Sequence, residues 1–410
     1  MLEFLKIPTI RNLLIIAIII RLLLMPFFFH PDIKTYSYQV SHLKDGVFNI
    51  YQYISENKGK LPIRDDFTYF PLTYFVLGGY QAVSSPLLGE NFPAWVSDAS
   101  GQSLEKIGVF RYLSILKGLY LFFDITIAFV LINFFKDYRQ KKKIFTIWLF
   151  NPFSLVLIYV YSGIDILPVL FMVVSLLLLH NKKILLAALL MGIAAAFKGY
   201  TLIFLPFFFL FGKNLKQKFL IILSFLAPFL ISIFPFLFTQ GFKEQALVSG
   251  LTNRIFFTSI SLGFGEALMV TVFLIAFLFF WAILKKDKIS TWHYLSALLL
   301  ILFSTIHYHV QWLLWILPFV IMLSVFYENL SKLVFIWLTL AFIIPLLYND
   351  KSMTVSLYSA ISPLYNLLPT FSTAVQKIYD PFVIQSIIHS SMLALSLIII
   401  WQLFEVEKNE

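Results

Sequence analysis

Cysteine is absent from the 410 residues of the chain. This absence excludes disulfide bonds, thiolate metal sites and cysteine nucleophiles. Charged residues are also scarce, at 13% of the sequence against about 25% in a typical soluble domain. The glycine-rich nucleotide motifs and the G-x-S-x-G elbow of hydrolases are missing. The sequence therefore contains no motif for binding a soluble nucleotide.

Apolar residues make up 60% of the chain, and the mean hydropathy is +0.86. A soluble domain is about 45–50% apolar, so this chain has more apolar surface than a soluble core can hold. These values predict an all-α polytopic membrane protein. The net charge of +10 is then best explained by basic cytoplasmic loops, and we expect no nucleic-acid partner.

A membrane-spanning helix needs about 20 mostly apolar residues. The candidate spans are 10–29, 110–135, 144–160, 163–180, 184–197, 200–212, 217–238, 262–284, 290–306, 310–327, 331–347 and 381–404. They predict a single transmembrane domain over 1–410 with about 12 helices, in a range of about 10 to 13. The short segments 184–197 and 200–212 indicate half-length helices around a break at Lys198-Gly199-Tyr200. Irregular backbone at membrane depth must be covered, so this break is expected to line a polar site.

Basic runs set the predicted topology. The run KDYRQKKK at 136–143 belongs on the cytoplasmic side, and it reaches that side if 69–88 lies in the membrane interface without crossing. Both termini are then expected in the cytoplasm. The extracytoplasmic loops are 30–109, which is expected to contain short interfacial helices, and the smaller 239–261 and 348–380.

His30-Pro31-Asp32 directly follows the first span, so Asp32 is expected at the outer membrane surface. Pro31 can open a short helix over 32–38. One interpretation makes Asp32 the cap of that helix. The other makes it a general base whose carboxylate takes a proton from a hydroxyl.

Further along the first loop, Asp65 and Asp66 precede an aromatic, proline-containing stretch that includes Tyr69. Paired carboxylates bind a cation or a sugar, but in a loop they are more often solvated. The aromatic residues suit packing at the membrane interface.

Four of the ionisable residues within or beside the spans are candidates for a functional role. Lys117 and Asp124 are seven residues apart and share one helix face, and a structural contact explains them as well as a functional one. Asp165 and Lys198 are expected on the side of the large loop. Buried charges of this kind indicate function with a partner, whereas snorkelling is the alternative.

The turn His307-Tyr308-His309-Val310-Gln311 lies between two predicted spans on the same side. Two histidines at i and i+2 do not share a helix face and are a poor metal motif without a carboxylate at a set spacing. Either imidazole suits a phosphate or a sugar hydroxyl.

At these residues the sequence resembles the GT-C glycosyltransferases, especially the branch of the GPI mannosyltransferase 1 catalytic subunit and the bacterial polyprenyl-phosphate-dependent mannosyltransferases. The resemblance follows the chain in order through HPDIKTYSYQ with FTYFPLTYF, KGLYLFFDITIAFVLI, NPFSLVLIYVYSGIDILPVLF, AAFKGYTLIFLPFFF and HYHVQWLLWILPFV. Two departures stand out. His30 replaces the first acid of an Asp-x-Asp pair, and Thr201 stands where proline often follows the tyrosine.

The resemblance implies an inverting GT-C hexosyltransferase of the plasma membrane in the cell envelope. It would move mannose or another hexose from a polyprenyl-phosphate donor to a lipid- or glycan-linked acceptor at the outer face. Asp32 would be the catalytic base. Donor or phosphate contacts would come from Lys198, His307, His309, Gln311 and Asp165. Acceptor or sugar contacts would come from Asp65, Asp66, Tyr36 and Tyr69.

No cofactor and no metal are predicted from these motifs, although a divalent cation is left open. Two rival interpretations explain the same charges without transferase activity. A lipid-linked solute transporter or flippase would use them for transport, but the chain has no internal sequence repeat of the kind many transporters show. A non-catalytic subunit of a glycan assembly complex would have kept the fold alone.

Overall fold

The computed structural model describes residues 2–99, 108–248, 252–285 and 291–406. Its fold is all-α, and the described part contains one two-stranded hairpin. The helices of the first half are α1 Leu2–Leu5, α2 Pro8–Leu24, α3 Pro31–Ser41, α4 Ile50–Asn57, α5 Pro71–Leu88, α6 Phe92–Ser97, α7 Val109–Leu131, α8 Tyr138–Phe150, α9 Pro152–Leu155, α10 Ile166–His180 and α11 Ile184–Phe197. Those of the second half are α12 Leu205–Phe209, α13 Leu215–Ile233, α14 Gln240–Phe242, α15 Val270–Leu284, α16 Thr291–Thr305, α17 Leu313–Phe326, α18 Ser331–Leu346, α19 Phe371–Gln376 and α20 Pro381–Val406.

Short 3-10 or π-helical segments extend or connect these helices. They are Ile132–Phe134, Val156–Val160, Gly199–Phe204, Lys243–Leu247, Thr252–Phe256, Val310–Trp312, Glu328–Leu330, Lys351–Met353, Val355–Tyr358 and Pro363–Leu367. The strands are β1 Ser259–Gly263 and β2 Glu266–Met269, which pair antiparallel.

Four described helices are long and apolar enough to cross a membrane: Val109–Phe134, Leu215–Ile233, Glu328–Leu346 and Pro381–Glu405. A fifth candidate span is the pair Tyr138–Phe150 and Pro152–Val160, which is bent by 43°. The bend falls at Asn151-Pro152, where the proline has no N–H to continue the helix. The chain is therefore an all-α membrane protein.

The helix break predicted at Lys198 is confirmed. Helix α11 ends at Phe197, and Lys198 is extended, with φ −155° and ψ 128°. A 3-10 turn then leads into α12. The backbone N–H of Phe70 and the hydroxyl of Thr73 donate to the carbonyl of Phe197, at 3.1 and 2.9 Å. The start of α5 thus satisfies a carbonyl that the helix end leaves unpaired.

The predicted helix over 262–284 is wrong in its first part. Residues 259–269 form the β1–β2 hairpin instead, and the helix begins only at Val270. Gly263, Phe264 and Gly265 all have positive φ at the turn. Glycine reaches this left-handed region without strain, whereas a continuing α-helix does not use it. The apolar composition of the segment hid the turn.

Three loop segments meet at one end of the helices, here called the loop end. The first contains α3 to α6, and the other two are residues 239–248 and 348–380. Gln245 accepts from the backbone N–H of Phe67 at 3.1 Å and donates to the carbonyl of Tyr51 at 2.8 Å. The backbone N–H of Phe29 donates to the carbonyl of Leu357 at 2.9 Å. These are the segments that the sequence analysis assigned to one side.

Basic turns gather around another set of helix ends. Lys143 pairs with Glu328 at 2.6 Å, and the rings of Phe135 and Phe326 lie 4.5 Å apart. Phe134 contacts the ring of His180, which precedes the basic turn at 181–183. The basic run at 136–143 is thus joined to the turns near 180 and 328.

Candidate functional site

Helix α3 positions Asp32 at the loop end. Pro31 opens the helix as predicted, and His30 caps it, because His30 Nδ1 accepts from the backbone N–H of Asp32 at 3.3 Å. The interpretation of Asp32 as the cap is therefore wrong. Its carboxylate stays available and is 33% exposed, whereas the side chain of His30 is only 2% exposed.

The turn at 307–311 meets this carboxylate from the other half of the chain. Gln311 Nε2 donates to Asp32 Oδ2 at 3.1 Å and to the carbonyl of Tyr161 at 2.7 Å. The His309 ring lies edge-on to the His30 ring, with centroids 5.4 Å apart. His30, Asp32, His309 and Gln311 form what we call the histidine cluster.

Burial controls the charge of the two histidines. It lowers the pKa of His30 below its usual value, and the nearby Asp32 carboxylate opposes this only in part. Burial also lowers the pKa of His309, to about 3, again against the effect of Asp32. Both rings are therefore neutral at neutral pH. A neutral imidazole offers one N–H and one lone pair, not a positive charge.

A second group, called here the lysine cluster, consists of Tyr69, Asp165, Lys198 and Trp315. Lys198 Nζ lies 2.9 Å from both carboxylate oxygens of Asp165 and donates to the Tyr69 hydroxyl at 3.2 Å. The Tyr69 hydroxyl and Trp315 Nε1 also donate to Asp165, at 2.8 and 3.0 Å. Asp165 is fully buried and Lys198 is 12% exposed, so both charges are fully paired.

The backbone before α10 explains why Asp165 lies there. Ser162 has a φ of 55°, and Gly163 follows in a tight turn. A Cβ on Gly163 would lie 2.6 Å from the carbonyl oxygen of Leu157 and 2.6 Å from Leu314 Cδ1. Only glycine fits this close approach, which places Asp165 at the N-cap position, directly before α10.

Aromatic side chains join the two clusters. The Tyr36 ring lies 5.1 Å from the Tyr69 ring. Burial raises the pKa of Tyr36 well above its usual value, and both Asp32 and Asp165 add to this effect. Lys198 Nζ lies over the Trp312 ring, 5.3 Å from the ring centroid, and the Trp312 ring stacks on the Trp315 ring.

His30 and Arg254 also belong to this region, although neither was predicted as a site residue. The Arg254 guanidinium also lies against the Trp312 ring, with its central carbon 5.2 Å from the ring centroid. Its side chain is half-buried and supplies a positive charge beside both clusters. No pattern in the sequence pointed to Arg254, because it lies in a short 3-10 segment, Thr252–Phe256, within a predicted loop. His30 was adjacent to Asp32, but its partner His309 is remote in sequence.

Three predicted site residues lie elsewhere. The His307 ring lies tilted against the Tyr348 ring, with centroids 4.6 Å apart, and the His307 carbonyl accepts from Arg254 Nη1 at 3.4 Å. Asp66 pairs with Lys58 at 2.7 Å on the surface. Asp65 is exposed, and its carbonyl accepts from the Gln39 side chain. Within the described residues, no side-chain contact joins these three to Asp32 or Lys198.

Three other buried charges form a separate network deep among the helices. Arg21 Nε pairs with Asp124 at 2.6 Å, and both side chains have no exposure. Trp148 Nε1 and the Tyr159 hydroxyl donate to the same carboxylate, each at 2.7 Å. Lys117 does not pair with Asp124. It donates to the carbonyls of Met25, Phe28 and Tyr159, at 3.0, 2.6 and 2.8 Å.

The fold and these clusters define a helical membrane protein with a polar site at one end of its helices. The sequence matches no known protein family and no curated protein. The function is therefore argued from the site itself.

Proposed function

We propose that the protein is a GT-C glycosyltransferase with about 12 transmembrane helices. It would transfer a hexose, with inversion, from a polyprenyl-phosphate donor to a lipid- or glycan-linked acceptor. The loop end would face outward from the plasma membrane, and the basic turns and both termini would face the cytoplasm, following the positive-inside rule. The resemblance of five ordered segments to that family supports the proposal.

The observation that carries the proposal is the position of Asp32. Its carboxylate is one-third exposed, next to two neutral histidines, and Gln311 fixes its orientation. Asp32 takes the proton of the acceptor hydroxyl as the hydroxyl oxygen bonds to the anomeric carbon. The bond from that carbon to the phosphate oxygen breaks, and the polyprenyl phosphate leaves with the electron pair.

Positive charge near Asp32 suits the leaving phosphate. Arg254 is the better candidate, because its guanidinium is half-buried over Trp312 and its contacts with the described residues leave donors unused. Lys198 already donates hydrogen bonds to Asp165 and Tyr69. It therefore acts mainly through its charge and by positioning the Trp312 ring. Stabilising charge that develops in the transition state is often the largest single contribution to catalysis. The rings of Tyr36 and Tyr69 could cover a sugar face.

Asp32→Asn tests the proposal. The variant keeps the shape and the contact with Gln311 but cannot accept a proton. We expect transfer from a panel of polyprenyl-phosphate sugars to a native lipid extract to fall by about 10²–10⁴-fold, with unchanged thermal unfolding. The matched control is Asp45→Asn, because Asp45 is an exposed acid on the same loop. Full activity of a folded Asp32→Asn variant would refute the role of Asp32.

The transporter interpretation predicts a different result. Product of increased mass in detergent, with no second compartment, would exclude transport as the sole activity. Arg21, Lys117 and Asp124 are fully buried, and they bond to one another or to backbone carbonyls, so a structural role explains them without transport. If the pure protein is inactive and a partner restores transfer, the non-catalytic interpretation gains instead.

A further inference from the structure

We propose that His30, Asp32 and His309 form a binding site for a divalent transition-metal ion. One ligand atom from each residue lies within 4.8 Å of the other two. Ligands that share a zinc-like ion, with bonds of about 2.1 Å, lie about 3–4 Å apart. A shift of about one ångström in the side chains would therefore close the three around an ion.

Both imidazoles have a lone pair available for the ion. His30 Nδ1 accepts from the N–H of Asp32 at 3.3 Å, and His309 Nδ1 accepts from the N–H of Gln311 at 3.4 Å. A nitrogen that accepts a hydrogen bond is unprotonated, which is the state that a metal requires. These bonds are at the long end of the N–H···N range, so a metal can replace them at small cost.

His30 carries a second sign of an unfilled role. Its Nε2 atom is buried without a hydrogen-bond partner in the described part of the chain, and the residue is 2% exposed. A buried polar atom of this kind is costly in a ring that serves packing alone.

The ligand set indicates the class of metal. Two imidazoles and one carboxylate suit Zn²⁺, Mn²⁺, Fe²⁺ or Co²⁺, whereas Mg²⁺ and Ca²⁺ prefer oxygen ligands alone. The exposed side of Asp32 leaves open positions for water or substrate oxygen. Gln311 holds Asp32 in place from the second half of the chain, as outer residues do around metal sites.

Sequence spacing did not reveal this site. His307 and His309 are two residues apart but have different neighbours, since the His307 ring contacts the Tyr348 ring. The true neighbours of His309 are His30 and Asp32, from the opposite half of the chain. In the proposed transfer, one Asp32 oxygen could hold the ion while the other accepts the proton. Metal binding itself does not depend on that reaction.

Metal binding can be measured directly on the full-length protein in detergent, after tag removal and chelator treatment. We expect one equivalent of Zn²⁺ or Co²⁺ by calorimetry and by elemental analysis after gel filtration. Bound Co²⁺ should give visible absorption of a site with fewer than six ligands. His309→Gln should weaken Zn²⁺ binding by at least about 10–100-fold, and His42→Gln, a histidine elsewhere on the first loop, should not.

Two results would overturn the proposal. One is the absence of stoichiometric Zn²⁺ and Co²⁺ binding by the wild type. The other is equal affinity in wild type and His309→Gln. If His309→Gln does not fold, Asp32→Asn decides, because it keeps the side-chain shape and should lose most of the affinity. A protein that binds the metal but transfers no sugar would leave the site standing and refute the proposed transfer alone.

Discussion

Two ion pairs lie inside the described part of the protein, Arg21–Asp124 and Lys198–Asp165. Each carboxylate accepts hydrogen bonds from one tryptophan and one tyrosine as well as from its cation. Their surroundings differ. The first pair is fully buried among helices, whereas the second lies at the loop end, near the one-third exposed carboxylate of Asp32. The same chemistry therefore serves packing in one place and borders a site in the other.

Energetics explain why the sealed pair need not be functional. Two charges taken out of water lose solvation that their mutual attraction repays only with further hydrogen bonds. Arg21 adds bonds from Nη1 to the carbonyls of Ala17 and Leu149, at 3.0 and 2.9 Å. These bonds tie α2 to α8. The network thus fixes the arrangement of three helices, and removing one member should cost more than the whole network contributes.

The largest expected effect is that of Asp124→Asn. The variant leaves Arg21 buried without a counter-charge, and we expect the free energy of unfolding to fall by about 3–5 kcal/mol. Transfer activity per folded molecule should not change. Unfolding in detergent measures the first quantity. Thr126→Ala, an exposed position on the same helix, should stay within about 0.5 kcal/mol. An equal loss of stability in Asp124→Asn and Thr126→Ala would show that the buried ion pair does not contribute more than an ordinary position on the helix.

Lys198→Met should have the second-largest effect. We expect the free energy of unfolding to fall by about 2–4 kcal/mol, less than for Asp124→Asn, because Asp165 keeps its hydrogen bonds from Tyr69 and Trp315. Here transfer should also fall, by at least about tenfold. Adding Asp165→Asn should restore part of the stability, and the double-mutant cycle should give about 1–3 kcal/mol of coupling. Loss of stability with unchanged kcat would make this pair structural, like the first.

Trp315→Phe sharpens the comparison at a single hydrogen bond. It removes the donor to Asp165 at 3.0 Å but keeps a ring to stack on Tyr200, whose centroid is 3.8 Å away. We expect the free energy of unfolding to fall by about 1–2 kcal/mol. Thermal unfolding measures this, with Trp401→Phe as the control because Trp401 is 58% exposed. A larger loss of stability in Trp401→Phe than in Trp315→Phe would show that the hydrogen bond from Trp315 to Asp165 does not stabilise the fold.

The smallest effect belongs to the surface pair of Lys58 and Asp66, whose side chains are 52% and 45% exposed. Lys58→Ala should change the free energy of unfolding by less than about 0.5 kcal/mol, because water already screens exposed charges. Denaturant unfolding at low and high salt should give the same small difference. A loss comparable to that of Lys198→Met would show that exposure does not separate these pairs.

Local features of the site could be predicted from the sequence. Pro31 predicted the start of α3, and Lys198-Gly199-Tyr200 predicted the break after α11. Both depend on residues next to one another in the chain. The hairpin at 259–269 was missed, because its apolar composition resembles that of a span and the positive φ values leave only a weak trace in two glycines.

The partners of the charged residues could not be predicted in the same way. Lys117 and Asp124 share a helix face, yet each bonds to a different neighbour. Asp32 and Gln311 meet across 279 residues of chain. Such pairs depend on which helix faces pack together, and no local periodicity records this.

The sequence by itself determined that the chain is a helical membrane protein, because hydropathy is a sum over residues and needs no knowledge of contacts. It also determined that a helix begins at Pro31 and that the chain breaks at Lys198-Gly199-Tyr200. Only the tertiary structure decided which charges are sealed and which border a site, and that His309 joins His30 and Asp32. Electrostatic and metal chemistry act over a few ångströms, and packing alone sets those distances.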